Sequence, residues 1–431
     1  MHASSVTGLE LPHLEPPHLA ARQGGPAALA QALQASRRDT LATFAAFERA
    51  LPGLQVPQAL QLNPPLWELG HVGWFQNFWI ARHPARERSR GWRADPLTPR
   101  LEQAPGHRPD ADALYDSTRV AHTTRWQLPL PGVQGTRDDL AQGLQATLEL
   151  LEQESVRAAP EEPGSDALYF FRLALLHEDM HHEAALYMAQ ALGVPLPDGL
   201  HWGGARALPP PPAPLQLEGG HWHSGRSAQA PGFAFDNECG VRQGVLAPFE
   251  IDAQPVRWAE YLPFIEEGGY RHSRWWTPAG WAWCRSRTEG ADAPRYLRHD
   301  ASGWWAWRLG EWVALDLAEP ACHLTAHEAQ AWCAWAGRRL PTEFEWECAA
   351  LSRADVFRWG EVWEWTSSPF APFPGFEAHP YRDYSAPWFD GRPVLRGASF
   401  MTQPRMRHPS YRNFFTPDRN DVAAGLRTCA P

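Results

Sequence analysis

Two histidines four residues apart, His177 and His181, stand in an apolar run from Ala167 to Leu192 whose centre reads Leu176-His177-Glu178-Asp179-Met180-His181-His182-Glu183. Coiled as a helix, this run puts both imidazoles one turn apart on one face, where they can share a metal ion. Glu183 lies two residues further on and is rotated away from the pair, so it suits orienting a ligand better than binding the ion. His182 points to another face, as a solvated or hydrogen-bonded neighbour. Leu175, Leu176, Ala184, Ala185 and Leu186 make the surroundings core-like, and unpaired imidazoles are costly there. That weighs for a metal over chance spacing. A catalytic metal needs a third protein ligand and open positions, and His71, in Leu66-Trp67-Glu68-Leu69-Gly70-His71-Val72-Gly73-Trp74-Phe75, offers the ligand. Three neutral nitrogens suit zinc or ferrous iron, and spacing alone does not choose between them.

At 431 residues the chain is too long for one ordinary core, and two domains are expected. Residues 1–25, rich in His, Pro and Gly, read as a loosely packed leader. A four-helix bundle is expected over 26–206. Its helices run from Ala27 to Leu51, from Leu66 through Ile80 with a stop at His83-Pro84, from Asp138 to Arg157, and from Asp166 to Leu192 with a stop at Gly193. The connection over 83–136 is long enough to have a task such as lining a site. Bundle cores are a standard place to hold a metal between facing helices. Consecutive prolines over 207–214 make a stiff spacer. Beyond it, over 215–431, Gly, Pro and Trp multiply and helical periodicity is rare. The clear exceptions begin at Thr325 and Thr342, each with a glutamate three residues on as a capping box. This half reads as α+β with much of its surface in loops.

A net charge of −10 argues against a nucleic-acid surface, and no apolar run reaches the roughly 18–20 residues of a membrane span. The first residues lack the pattern of a signal peptide. Six scattered cysteines without CxxC pairs fit reduced thiols, so a cytoplasmic protein is expected. Tryptophan, at 23 residues, is far above its usual share; the indoles suit an irregular core, and aromatic faces attract quaternary ammonium groups.

The C-terminal half resembles the formylglycine-generating-enzyme fold, a variant of the C-type-lectin fold. The resemblance lies in Phe235-Asp236-Asn237-Glu238, Pro255 to Tyr261, Ala336 to Glu347, Val362-Trp363-Glu364-Trp365-Thr366, Val394 to Ser399 and Gly425-Leu426-Arg427. The N-terminal half resembles the DinB-like four-helix bundle, with His71 and the H-x3-H-x-E element in place. Paired in that order, the two halves resemble the ergothioneine-type sulfoxide synthases. The family's members are non-haem iron(II), O2-dependent enzymes that join a sulfur donor to C2 of the hercynine imidazole. The stretch from Asp112 to Pro131 looks most like the selenoneine synthase branch, which implies a selenosugar as donor in place of cysteine or γ-glutamylcysteine.

Residue by residue, the resemblance implies His71, His177 and His181 as iron ligands, and Tyr381 and Tyr384 as active-site tyrosines, the first a proton donor close to the iron. Asn413 and Arg419 match a substrate-binding segment. Phe414-Phe415 stands where some members have Trp-Asp, and Met180 where members carry a Gln that bonds substrate or water. Phe414 and Phe415 are candidate walls for the trimethylammonium group. Arg119 and Arg125 are candidates for the donor's polar or anionic groups. Two other readings stay open at this point: a zinc-dependent thiol transferase or hydrolase, and a non-catalytic binding module.

Overall fold

Prolines start three helices of the N-terminal region. Pro26 and Pro65 occupy first helical positions, where a missing N–H leaves nothing unpaired and the fixed φ suits the helix. The computed structural model describes residues 16–82, 110–156, 167–197, 200, 204–227, 230, 232–287 and 292–431. Its N-terminal region holds α1 (Pro17–Gln23), α2 (Pro26–Ala50), α3 (Pro65–Gln76), α4 (Ala111–Tyr115), α5 (Val133–Val156) and α6 (Tyr169–Leu192). Helices α2, α3, α5 and α6 pack as a bundle around Leu29, Leu33, Phe75, Phe171, Leu175 and Leu176. Buried Arg37 of α2 ties all four together. It pairs with Glu178 at 2.8 Å and donates to Gln76 and to the Leu140 carbonyl.

Three expectations change here. The described part of the leader is not loose: α1 packs in the core, and its Arg22 is buried against Glu238 of the C-terminal region at 2.6 Å. The helix expected through Ile80 is α-helical only to Gln76 and then widens into a π turn at Asn77–Ala81, a distortion frequent at functional sites. The third helix begins at Val133, five residues early. The first 15 residues, the stop at His83-Pro84, residues 83–109 of the long connection, Arg157 and Asp166 lie outside the described residues.

The C-terminal region is α+β. Strands β1 (Leu215–Leu217), β2 (Gly220–Ser224), β3 (Arg242–Leu246) and β4 (Phe249–Ile251) form two antiparallel pairs, β1–β4 and β2–β3. Helices α7 (Trp258–Glu266) and α8 (Pro278–Ser286) follow. Then comes an antiparallel sheet of β5 (Leu297–Asp300), β6 (Gly303–Arg308) and β7 (Glu311–Ala314). Helices α9 (Ala326–Ala336) and α10 (Glu343–Ser352) each open on the expected capping box, Thr325 with Glu328 and Thr342 with Glu345. The last sheet is ordered β10-β9-β8-β11, from β8 (Trp363–Pro369), β9 (Pro393–Gly397), β10 (Asn413–Phe414) and β11 (Ala424–Gly425), with β11 parallel to β8. Helices α7 and α8 were not legible as helices: Pro263 sits inside α7, and tryptophans blur the period of α8.

One hydrophobic core runs through both regions, from Phe171 and Leu176 of α6 to Trp363 and Trp365 of β8. Residues 207–214 cross between the regions without regular structure. At the far end of α6, Gly193 takes the left-handed backbone (φ 67°) and abuts Gly310, so close that a Cβ would sit 3.0 Å from the Gly310 Cα. The end of the bundle therefore meets the β6–β7 turn backbone to backbone at these two glycines. All six cysteines are unbridged. Among the described residues no helix is long and apolar enough to cross a membrane.

Candidate metal centre

His71 comes from α3, and His177 and His181 from one face of α6. Their ligand atoms lie within 4.8 Å of one another, the only such group of histidine, cysteine or acidic side chains among the described residues. His71 and His177 are each 2 % exposed. The three rings are held differently. The Nδ1 of His71 lies 2.8 Å from the Tyr115 carbonyl. Gly70 makes room for this, since a Cβ there would sit 2.3 Å from the Tyr115 ring. The Nδ1 of His181 lies 2.5 Å from Oε2 of Glu68. Neither nitrogen of His177 has a hydrogen-bond partner, while its ring lies flat on Phe75 at 3.5 Å.

Burial holds His71 at a pKa of about 3 and His177 well below the ordinary value, helped in both by neighbouring His181. Both are therefore neutral at physiological pH, with lone pairs to give. Burial pushes Glu68 up, but His181, His71 and Arg125 around it together outweigh that and leave the carboxyl below its usual range. A buried imidazole with both nitrogens unpaired is costly unless something binds it. A divalent transition ion fits: His177 gains a partner, and His71 and His181 each keep Nδ1 on an outer acceptor and Nε2 free.

The carboxylate that meets the histidine cluster is thus Glu68, not Glu183. Glu183 turns to the C-terminal region, where it accepts from Trp363 Nε1 at 2.7 Å, Thr402 Oγ1 at 2.9 Å, Ser399 Oγ at 3.1 Å and the Tyr187 hydroxyl. The sequence did hold a signal for Glu68: three residues before His71 on a helix is the same face. His182 is buried rather than solvated, bridging Thr43 at 2.8 Å and Gln403 at 2.7 Å.

Beside the histidines, a cleft of about 250 Å³ opens between the two regions. Trp74, Phe75, Phe78 and Trp79 of α3 and its π turn line one side; Asp116 to Arg119 and Pro380 to Asp383 line the rest. Tyr381 lines the cleft. Its ring is 6.0 Å from that of His177 and 4.9 Å from that of Phe75, and burial raises its pKa, so the phenol keeps its proton. Tyr384 lies one ring behind, 6.1 Å from Tyr381, and its hydroxyl donates to that of Tyr411 at 3.0 Å. Arg119 stands exposed on the cleft wall, 3.3 Å from Asp116.

The other expected substrate contacts do not line this cleft. Phe414 stacks on Phe370 at 4.0 Å, and the Asn413 side chain accepts from the Phe414 N–H. Arg419 is paired with Asp421 and lies over Phe415. Arg125 lies 3.8 Å over the Trp67 ring and donates to Asn63, and half-buried Met180 packs against the core. Conversely, Trp74, Phe78, Asp116, Arg382 and Asp383 line the cleft without having been singled out. The aromatic density around His71 was the available signal for the first two.

Residues 204–361 match the sulfatase-modifying factor enzyme 1-like domain family. Over 427 residues the chain is 30% identical to the hercynine oxygenase of Mycolicibacterium smegmatis, covering 85% of this chain and 90% of that protein. To the hercynine oxygenase of Mycolicibacterium thermoresistibile it is 31% identical over 420 residues, covering 85% and 87%. It is also 27% identical over 287 residues to the formylglycine-generating enzyme of Streptomyces coelicolor, covering 50% of this chain and 88% of that one.

Proposed function

The chain belongs to the hercynine oxygenase family, and on that premise we propose that it is a non-haem iron(II), O2-dependent enzyme that couples C2 of the hercynine imidazole to a selenosugar. The observation that carries the reading is the convergence of three imidazoles, two of them buried and neutral, beside a cleft floored by aromatic rings and faced by a half-buried phenol. We read 26–206 and 215–431 as its two domains, with 207–214 as spacer, and its six unbridged cysteines as those of a cytoplasmic protein.

His71, His177 and His181 would hold the iron, which would supply open positions and a redox-active centre through which the two substrates could reduce dioxygen. The rest falls to the chain. Glu68 and the Tyr115 carbonyl fix the tautomers of His181 and His71, leaving each Nε2 toward the ion. The faces of Trp74, Phe78 and Trp79 suit a trimethylammonium group, with Asp116 or Asp383 adding the opposite charge. Arg119 and Arg382, one from each region, suit the substrate carboxylate and the donor's oxygens. Tyr381 holds its proton at rest and is placed to give it up beside the ligands. Selenium over sulfur is supported by the resemblance carried by the 112–131 stretch.

The test is turnover of hercynine, under air and under nitrogen, with a selenosugar, with cysteine and with γ-glutamylcysteine, alongside metal analysis. Oxygen-dependent product, greatest with the selenosugar, is expected. Preference for cysteine would overturn the donor assignment, and tightly held zinc with oxygen-indifferent activity would overturn the whole reading.

A further inference from the structure

Away from the histidines, a second cavity lies at the seam between the regions. It is bounded by Gln190 near the end of α6, by Gly204 and Ala205, and by the β5–β7 sheet. Its volume of about 50 Å³ has room for roughly four water-sized groups. That is too little for hercynine or a sugar. Four polar residues of the wall matter: Arg295, Tyr296, Arg308 and His323.

Two of them have unusual backbones. Tyr296 and His323 are not glycine, yet they stand at φ 66° and 61°. Their rings meet edge to face at 4.9 Å. Side chains rarely accept this conformation, and where strain of this kind persists it clusters at ligand sites. Here it is held by the bond from the Trp307 N–H to the Tyr296 carbonyl, 2.8 Å, and by His323 Nδ1 on the Val422 carbonyl, 3.0 Å.

The charges do not balance. Arg308 is paired with Glu319 on the same wall. Arg295 bonds the Asn420 amide oxygen at 3.2 Å, lies 4.7 Å over the Tyr296 ring, and has no carboxylate partner among the described residues. Asp421, the acid that acts on Tyr296 and His323, is paired with Arg419. Burial keeps His323 neutral, at a pKa of about 4, so it adds no charge at pH 7. The Tyr296 hydroxyl, buried, has no hydrogen-bond partner. An unmatched guanidinium beside an unpaired phenolic donor is a site for negative oxygen.

We propose that this cavity is a binding site for a small oxyanion of about four heavy atoms, a short carboxylate or an inorganic anion, gripped by Arg295 and the Tyr296 hydroxyl. The occupant sits against the joint between the regions. Gln190 of α6 donates to the Trp307 carbonyl at 2.7 Å and accepts from the Leu309 N–H at 2.9 Å, so a ligand here braces the same helix that carries His177 and His181.

The experiment is thermal denaturation of the full chain at pH 7 and constant ionic strength, titrated separately with acetate, bicarbonate and inorganic phosphate against chloride. Line broadening of ¹³C-acetate and ¹³C-bicarbonate reports binding directly. One anion should raise Tm saturably, by about 3 °C at a hundred times its Kd for a chain of this size. Saturation by acetate assigns an organic carboxylate, and saturation by bicarbonate or phosphate an inorganic anion. Arg295→Gln should weaken that anion about tenfold or more, and Tyr296→Phe, which keeps the ring packing, several-fold. The proposal fails if no anion saturates, or if the anion that does binds Tyr296→Phe and Arg295→Gln as tightly as the native chain. Neither result bears on the iron site.

Discussion

The two faces of α6 are built on opposite plans. His177 and His181 look toward α3, and His177 reaches there with both nitrogens unpaired. Asp179, His182 and Glu183 look toward α2 and the C-terminal region and are saturated. Asp179 takes Ser36 at 2.6 Å and Arg405 at 2.8 Å; His182 bridges Thr43 and Gln403; Glu183 takes four donors. Two turns of helix thus carry both a face open to a ligand and a joint left with nothing to add. A polar network that is fully paired holds two bodies together. One that is open binds something else.

If that contrast is right, the two faces must fail differently. The largest effect belongs to the open face. His177→Ala should abolish metal binding and lower coupling activity by about 10³-fold or more. The metal-free protein should unfold within about 1 kcal/mol of the native chain, because a buried unpaired imidazole contributes little to stability. Denaturant titration with and without metal checks both halves. A large loss of stability in the metal-free variant would erase the distinction.

Glu183→Ala is the mirror experiment. It leaves the donors of Tyr187, Trp363, Ser399 and Thr402 buried without their acceptor, and should cost about 3–4 kcal/mol of unfolding free energy. Metal affinity, measured in the protein that remains folded, should hold within about threefold. A selective loss of metal would return Glu183 to the role its position in the sequence suggested.

Two finer substitutions sharpen the open face. Tyr381→Phe keeps the ring against Phe75 and His177, so metal content should be unchanged while coupling falls about 10²-fold. Glu68→Gln keeps a hydrogen bond but removes the charge facing His181. Metal affinity should weaken about 10- to 100-fold with little change in stability.

These contrasts also explain what could be read in advance. Helical spacing put His177 and His181 on one face and His71 was the third candidate, so the histidine cluster was legible. Their supports were legible in direction only. Spacing says that Glu183 leaves the ligand face, but not that Trp363, 180 residues away, waits on the other side. Arg119 was drawn from a long loop whose described part does line the cleft, whereas Arg125, six residues on, is taken up by Trp67. Asn413, Phe414 and Arg419 look like site residues in a linear motif, yet strand pairing, ring stacking on Phe370 and the Asp421 ion pair place them elsewhere. Local pattern fixes which face a side chain leaves from; the partner it meets is a tertiary fact.

The smallest effect tests the joint through pH. Behind Tyr384, Asp236 is buried, accepting from Ser385 and the His379 N–H, and burial raises its pKa to about 6; His379 nearby is lowered to about 4 by burial. The signs oppose. A carboxyl raised above its unfolded value favours the fold fully below about pH 4, and that contribution is lost as pH rises through 6. A histidine lowered below its unfolded value favours the fold above about pH 6.5, and that contribution is lost as pH falls through 4. Over the same window the pair nearly cancels. Asp236→Asn should remove one side only, so that its stability relative to the native chain rises by about 2 kcal/mol between pH 4 and pH 6. Unfolding curves at the two pH values measure this difference directly, with every other titrating group common to both proteins. A difference that stays constant across the window would mean that Asp236 is ionised within the joint, its charge already met by the hydroxyl and N–H that face it.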